Sequence, residues 1–477
     1  MLPRALLLLV VVFAGRVCHA QPDEAMLRLP VQVRLPDGSA AAAARICLMQ
    51  FKQPRIVVET DSKGVAFLES NFVLTPTLAV ESQDHRFNAL VSVPQSDVRR
   101  LCQSAFSATL NPTVPMRVKV TRDGVPVDDA EVARGKGFVH VRTDGQGIAT
   151  LPMSPPAIDT YVMVWHPEKG IGSAVLPAGT AVPPTVEVSL EPPVERKIRL
   201  LNQFDMPIAD RRLAAQVLLS LNSEPKRRFF LSEEFPMTAC RTDADGRASF
   251  LWASPRRRPY YELFDAPDWS MDGEPHSDAE PDPDSKILHV LHARARVTLF
   301  GELLVPDGLE KRGMLIRAVS DGVGSSFDYC SARSDDDGKF RLHVTPGHTY
   351  ALAVEDSEWA SDVQNPVFIP NPPELPPVLK PLEIVPAVPL EVIVTSKKTG
   401  RPIPQQFVEI GRRVVIERDG EHGRLLATWW KTDQAGRVRT GIATGEYEIR
   451  VPGEGWEEKQ TLSITTAAPQ RVEILGP

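Results

Sequence analysis

The sequence has few of the features that most functional classes require. Aromatic residues make up 6% of it, and 477 residues include only 5 cysteines. So few cysteines exclude a disulfide scaffold, and ordinary hydrophobic cores must stabilise the fold. Acidic residues (61) outnumber basic ones (54), which argues against nucleic acid as a partner. None of the familiar catalytic, P-loop or dinucleotide-binding motifs occurs, so we predict a chain that is not an enzyme and holds no cofactor or metal.

Only one long apolar run occurs, and it lies at the N-terminus. Residues 5–14 read ALLLLVVVFA after Arg4, which is typical of a secretory signal peptide. We predict a signal over residues 1–20 and a mature chain from about Gln21; the alternatives are an uncleaved anchor and lipid attachment at Cys18. The run is about half of the roughly 20 residues that span a bilayer. We therefore expect a secreted, periplasmic or cell-surface protein with no membrane span after cleavage.

A five-residue phrase, Thr/Ser-Asp-x-x-Gly, recurs five times and is here called the turn phrase. Its aspartates and glycines are Asp61 and Gly64, Asp144 and Gly147, Asp243 and Gly246, Asp335 and Gly338, and Asp433 and Gly436. The aspartates lie 83 to 99 residues apart, which is the size of a domain. Aspartate accepts backbone N–H groups in a tight turn, and glycine supplies its positive φ. Each phrase is therefore predicted to join two strands of a hairpin.

The flanks of the turn phrase alternate with the period of a β-strand. Directly before the Thr or Ser stand charged residues, predicted to face water: Glu59, Arg142, Arg241, Arg333 and Lys431. One position earlier stand residues predicted to face a core: Val58, Val141, Cys240, Ala332 and Trp430. Such alternation on both sides of a turn favours strands that cover one hydrophobic core.

Short strands and frequent turns over a mature chain of this length predict several domains. We predict an all-β fold, a tandem array of about five antiparallel Greek-key β-sandwich domains. The predicted boundaries are residues 21–114, 115–193, 194–292, 293–385 and 386–477, with an acidic surface loop over 265–284 in the third domain.

Each unit also has an opening strand followed by a turn, and closing strands are visible in segments such as Gly445-Glu446-Tyr447-Glu448-Ile449. Together with the turn phrase, these segments resemble carboxypeptidase regulatory-like domains, which have a transthyretin-like, immunoglobulin-like sandwich fold. The resemblance covers nearly the whole mature chain. It implies an accessory, binding or spacing role, because in carboxypeptidases the module accompanies a separate catalytic domain.

Three residues are candidates for a site or a crosslink. Trp429 precedes the inward-facing Trp430, so strand alternation places it outside, where an indole ring can stack on a sugar or contact a protein. Cys47 and Cys102 fall in the same domain, and a disulfide between them is one of two readings, the other being two thiols. The Asp-rich turns lack EF-hand spacing, so we interpret them as turns and not as calcium sites.

The leading hypothesis is a rod of sandwiches, a noncatalytic structural spacer or a protein- or ligand-binding scaffold at the cell envelope. An array of carbohydrate-binding modules is the first alternative, and an unrecognised extracellular hydrolase is the second. The partner, protein or polysaccharide, stays unidentified.

Overall fold

The computed structural model describes residues 25–476 with internal gaps. The gaps are residues 51–54, 74–75, 135–139, 156–159, 178–179, 193, 220–226, 230–238, 253–258, 265, 267, 272–288, 321–328, 363, 372–378, 405, 415–423, 434 and 454–455. The predicted signal peptide, residues 1–20, and most of the predicted acidic loop, residues 265–284, lie outside the described residues.

The described residues form strands almost throughout, and we name five successive groups of them sandwich 1 to sandwich 5. Sandwich 1 contains β1 (Leu27–Arg34), β2 (Arg45–Met49), β3 (Ile56–Glu59), β4 (Val65–Ser70), β5 (Thr77–Glu81), β6 (Phe87–Ser92), a 3-10 helix (Gln95–Asp97), α1 (Val98–Ser104), β7 (Phe106–Thr109) and β8 (Asn111–Pro112). Sandwich 2 contains β9 (Val114–Arg122), β10 (Val125–Pro126), β11 (Glu131–Arg134), β12 (His140–Arg142), β13 (Ile148–Met153), β14 (Thr160–His166), β15 (Gly170–Leu176) and β16 (Thr185–Ser189).

The remaining strands follow the same order. Sandwich 3 contains β17 (Val194–Asn202), β18 (Arg212–Leu219), β19 (Arg227–Phe229), β20 (Ala239–Arg241), β21 (Arg247–Trp252), β22 (Pro259–Phe264), β23 (Trp269–Met271) and β24 (His289–Ala295). Sandwich 4 contains β25 (Val297–Leu304), β26 (Leu315–Ser320), β27 (Tyr329–Arg333), β28 (Lys339–Val344), β29 (Thr349–Val354), β30 (Trp359–Ser361), β31 (Gln364–Phe368) and β32 (Leu382–Pro386). Sandwich 5 contains β33 (Val388–Ser396), β34 (Phe407–Val414), β35 (Arg424–Lys431), β36 (Arg437–Ile442), β37 (Gly445–Gly453), β38 (Trp456–Ile464) and β39 (Gln470–Gly476).

Two sheets make up each sandwich. The first sheets have the orders β4-β1-β7, β10-β9-β13 with β16 beside β9, β21-β17-β24-β23, β28-β25-β32-β30 and β36-β33-β39. The second sheets have the orders β3-β2-β5-β6-β8, β12-β11-β14-β15, β19-β18-β20 with β22 beside β18, β27-β26-β29-β31 and β35-β34-β37-β38. The predicted all-β sandwich class is thus confirmed. We keep the predicted domain boundaries as a proposal.

One strand pair in each sandwich departs from the antiparallel prediction. A late strand returns to the first sheet and lies parallel to the opening strand, in the pairs β1–β7, β9–β16, β17–β24, β25–β32 and β33–β39. Parallel neighbours require a long crossover connection, and here the second sheet supplies it.

The turn phrase was predicted to close a hairpin within one sheet, and this prediction is wrong. It carries the chain from the second sheet to the first: from β3 to β4, β12 to β13, β20 to β21, β27 to β28, and β35 to β36. Alternation of side chains is the same for both arrangements, because either one keeps the apolar face inward. Strand periodicity therefore could not distinguish a hairpin from a corner between sheets.

Side chains of the turn phrase satisfy the backbone at this corner. Each aspartate carboxylate accepts the N–H groups two and four residues later at 2.8–3.0 Å. The glycines have φ between 67° and 84°. The preceding Thr or Ser hydroxyl accepts one backbone N–H and donates to one carbonyl of the segment that leads into the second sheet.

Closing strands of the last two sandwiches carry a tyrosine that bonds back to the preceding turn. The Tyr447 hydroxyl donates to Ala443 O at 3.0 Å. The Tyr350 hydroxyl accepts the Thr345 N–H at 2.8 Å. Such a tyrosine corner is typical of immunoglobulin-like sandwiches.

Contacts between the sandwiches contradict a rod. Sandwich 1 meets sandwich 2 where the Ser154 hydroxyl bonds Asn88 Oδ1, and sandwiches 2 and 3 share one hydrophobic cluster that includes Met163 and Phe250. Sandwich 3 meets sandwich 4 through the Thr345 and Ser270 hydroxyls. Because Arg333 of sandwich 4 also donates to Phe72 O and Gln95 O of sandwich 1, the first four sandwiches form a closed circuit of contacts. Sandwich 5 contacts sandwich 4, where Arg412 Nη1 donates to Ser361 O at 3.0 Å.

The predicted acidic loop is not wholly a loop. Trp269–Met271 within it forms β23, which pairs with β24. Acidic residues outnumber apolar ones over 265–284, so composition concealed this short strand.

Candidate functional site

The interface between sandwich 1 and sandwich 4 joins parts of the chain more than 200 residues apart. Among the described residues, ten hydrogen bonds cross it. That number matches a specific protein–protein interface. We call it the 1–4 interface and treat it as the candidate functional site.

Sandwich 1 contributes a helical segment that was absent from the sequence prediction. The 3-10 helix and α1 together run from Gln95 to Ser104, between β6 and β7. From α1, Arg99 donates through Nη2 to Glu310 O at 2.9 Å and through Nε to Arg312 O at 3.2 Å. In the opposite direction, Arg312 donates to Met26 O at 2.8 Å. The segment is too short to show a helical period in the sequence.

Arg333 of β27 lies at the centre of the interface and is only 5% exposed. Its Nη2 donates to Phe72 O at 3.0 Å and to Gln95 O at 3.1 Å, both in sandwich 1. Its Nη1 donates to Gly313 O at 2.6 Å within sandwich 4. Phe72 has a φ of 47°, a left-handed conformation that bulky residues rarely adopt. The planar guanidinium thus joins three backbone carbonyls from two sandwiches.

Burial lowers the pKa of Arg333 to about 10, and the nearby Asp356 opposes this shift. A pKa of about 10 still leaves the guanidinium charged at neutral pH. Asp356 is 1% exposed, and burial raises its pKa, against the Glu358 N–H, Arg99 and Arg333, which lower it. Arg317, also buried, pairs with Glu355 (Nε–Oε2, 2.8 Å) and donates to Gln95 Oε1 at 2.9 Å. Three arginines and two carboxylates thus lie together at the interface. The carboxylate of Asp356 favours the charged form of Arg333, whereas the like charges of Arg317 and Arg99 oppose it.

Arg333 corrects one prediction of the strand alternation, which assigned it to solvent. The residues at the same position in sandwiches 2 and 3, Arg142 and Arg241, do face water, with side chains 61% and 60% exposed. Alternation reports only whether a side chain faces its own core. It does not show whether a second sandwich covers the outer face. Arg333 was therefore not predicted to be part of a site.

The two candidate cysteines are separate thiols in the described structure. Cys47 lies between Ile46 and Leu48, which both belong to the core of sandwich 1, so Cys47 points to the opposite face of the sheet. Cys102, on α1, packs against that core. In the described structure the two side chains lie on different sides of β2, and the disulfide stays a prediction.

Trp429 lies in β35, where its backbone pairs with Glu409; its side chain lies outside the described residues, and its role in binding stays a prediction. Three other tryptophans, Trp165, Trp269 and Trp359, pack against cores. The exposed rings of Phe67 and Phe300 have Arg28 and Arg341 over them, at 3.9 and 5.6 Å from the ring centroids. A guanidinium over the ring occupies the face that a sugar would need.

A crevice between sandwiches 4 and 5 is lined by Glu355, Arg412, Trp430 and Tyr447, among others. Its cavity volume is about 30 Å³, and roughly 10–15 Å³ on this measure admits one water molecule, so the crevice has room for a few waters. Within the described parts of the chain, no group of three or more His, Cys, Asp or Glu side chains is placed to hold a metal ion. Nor does any described helix have the length and apolar character to cross a membrane.

Comparison with known proteins gives weak likenesses. No protein-family description and no curated protein matches the chain. Among solved structures, it is similar to the Bacillus anthracis TIE protein (13% identity, 94% of this chain and 67% of that one, TM-score 0.15). It is also similar to shaft pilin SpaA from Lactobacillus rhamnosus GG (12% identity, 38% of this chain and 97% of that one, TM-score 0.17). A third similar structure is BcpA, the major pilin subunit of Bacillus cereus (8% identity, 94% of this chain and 99% of that one, TM-score 0.15). At such TM-scores, nothing about the arrangement or function of this chain follows from them.

Proposed function

We propose that the mature chain is a noncatalytic, exported scaffold that holds binding surfaces in a fixed arrangement at the cell envelope. The 1–4 interface is the observation that carries this proposal. Because sandwich 1 is bonded to sandwich 4, sandwiches 2 and 3 are not free to extend in line. A scaffold is therefore better supported than the spacer of the sequence hypothesis, and the carbohydrate-binding alternative still depends on Trp429.

The character of the interface supports a permanent arrangement. Buried guanidinium groups are stable only when their donors are satisfied, so partial opening of this contact is costly. Protein partners that contact two sandwiches at once would then meet surfaces already in place, which lowers the entropic cost of binding.

Crosslinking in cells that produce the protein tests this function. We expect wild type and Arg142→Ala to crosslink to the same partner proteins, and Arg333→Ala to lose those that contact more than one sandwich. Identical partners for all three proteins, or no reproducible partner, would contradict a scaffold. Hydrolysis by the purified mature chain that a single substitution abolishes would contradict the noncatalytic assignment.

A further inference from the structure

The position that precedes β26 by two residues distinguishes sandwich 4 from sandwiches 2 and 3. In all three, a backbone N–H donates to the carbonyl of the turn-phrase Thr or Ser: Asp129 to Thr143, Asp210 to Thr242 and Gly313 to Ser334, at 2.8–3.0 Å. All three donors have left-handed φ values, of 56°, 54° and 80°. The three residues are therefore structurally equivalent, and only sandwich 4 has glycine there.

The aspartates bind the arginine that precedes their own turn phrase. Arg142 Nη1 lies 2.7 Å from Asp129 Oδ1, and Arg241 Nη1 lies 2.8 Å from Asp210 Oδ1. Gly313 has no side chain, and only its carbonyl accepts a hydrogen bond from Arg333, through Nη1. The remaining donors of Arg333 then reach Phe72 and Gln95 of sandwich 1.

Glycine at 313 also makes room for sandwich 1. A Cβ atom at this position would lie 2.8 Å from Cδ2 of Leu27 in β1, closer than two carbon atoms pack. Leu27 is itself buried, at 7% exposure. The absence of a side chain at 313 thus permits both the arginine contacts and the apolar contact.

We propose that Gly313 is the specificity-determining residue of the 1–4 interface, and that the partner which it admits is sandwich 1 of the same chain. An aspartate at this position keeps the arginine on its own domain, as in sandwiches 2 and 3. Glycine releases the guanidinium for backbone carbonyls of a neighbouring sandwich. This inference rests on the proposed function, because the closed circuit depends on the interface.

Amide exchange of the full mature chain with Gly313→Asp tests the proposal. The Ser357 N–H donates to Ser96 O across the interface at 3.2 Å, so its exchange rate reports opening. We expect exchange at least about tenfold faster in Gly313→Asp, since charge-assisted hydrogen bonds across the interface are lost. The Ser334 N–H, which donates to Met314 O inside sandwich 4 at 3.1 Å, should stay protected, because aspartate tolerates the left-handed conformation.

Gly313→Asn is the matched control, with the same size and backbone tolerance but no charge. We expect it to accelerate Ser357 exchange less than Gly313→Asp does. Equal acceleration by both would overturn the role of the carboxylate, and no acceleration by Gly313→Asp would overturn the role of Gly313. Rapid Ser357 exchange in wild type would instead contradict the closed circuit, and with it the proposed function.

Discussion

Arg333→Ala is expected to separate sandwich 1 from sandwich 4 while leaving both folded. The substitution leaves the Phe72, Gln95 and Gly313 carbonyls without the buried donor that they share. It also removes a cation near the buried Asp356. Removal of one partner from a buried charged network costs about 3–5 kcal/mol, and we expect the free energy of opening of the interface to fall by that order. Amide exchange of Gln95–Ser104 in increasing urea measures it.

Arg142→Ala and Arg241→Ala are the matched controls, because both arginines hold the same position before a turn phrase. Their ion pairs with Asp129 and Asp210 are exposed, and exposed pairs contribute little. We expect neither control to alter exchange in Gln95–Ser104. Arg333→Lys should accelerate this exchange less than Arg333→Ala and more than the controls, since lysine keeps the charge but not the planar set of donors. An effect of Arg333→Ala no larger than that of the controls would refute the importance of the buried contact.

Gly147→Ala should strongly destabilise sandwich 2, because its turn phrase has no room for a side chain. A Cβ atom there would lie 2.5 Å from Val120 O and 3.0 Å from Val127 N, both backbone atoms that cannot rotate away. The left-handed conformation costs about 1–2 kcal/mol for alanine, and forced overpacking adds about 1–3 kcal/mol. We expect a loss of roughly 2–5 kcal/mol in the free energy of unfolding of this sandwich.

Gly124→Ala provides the control within the same sandwich. Gly124 has a similar φ of 80°, but nothing lies within 4 Å of its added Cβ. Only the conformational cost of about 1–2 kcal/mol applies there. Urea unfolding followed by exchange of the β13 amides compares the two. Equal losses would show that the close contact with the opening strand does not constrain the turn.

The features predicted correctly from the sequence are those that each sandwich determines by itself. Val141 and Ala332 contact their cores as strand alternation requires, and an all-β class follows from such alternation. The sheet to which each strand belongs could not be predicted, because a hairpin and a corner between sheets have the same pattern. The short helical segment that carries Arg99 has too few residues to show a period.

The candidate site depends on contacts between sandwiches, for which the sequence offers only a faint signal. Arg333 and Arg142 are equivalent in their own sandwiches and differ only in what lies outside them. The sequence shows Asp129, Asp210 and Gly313, but not that they occupy equivalent positions. The backbone hydrogen bonds were needed to establish this, because the segment between each residue and its turn phrase differs in length from one sandwich to the next.

Small-angle X-ray scattering of the mature wild-type chain tests the closed circuit most directly. A 100-residue domain is about 34 Å across, so five in line would reach roughly 170 Å, whereas a circuit of four with a fifth attached reaches roughly 110 Å. We predict a maximum dimension near the shorter value, and a longer one for Arg333→Ala. A wild-type dimension that approaches the longer value would contradict the account.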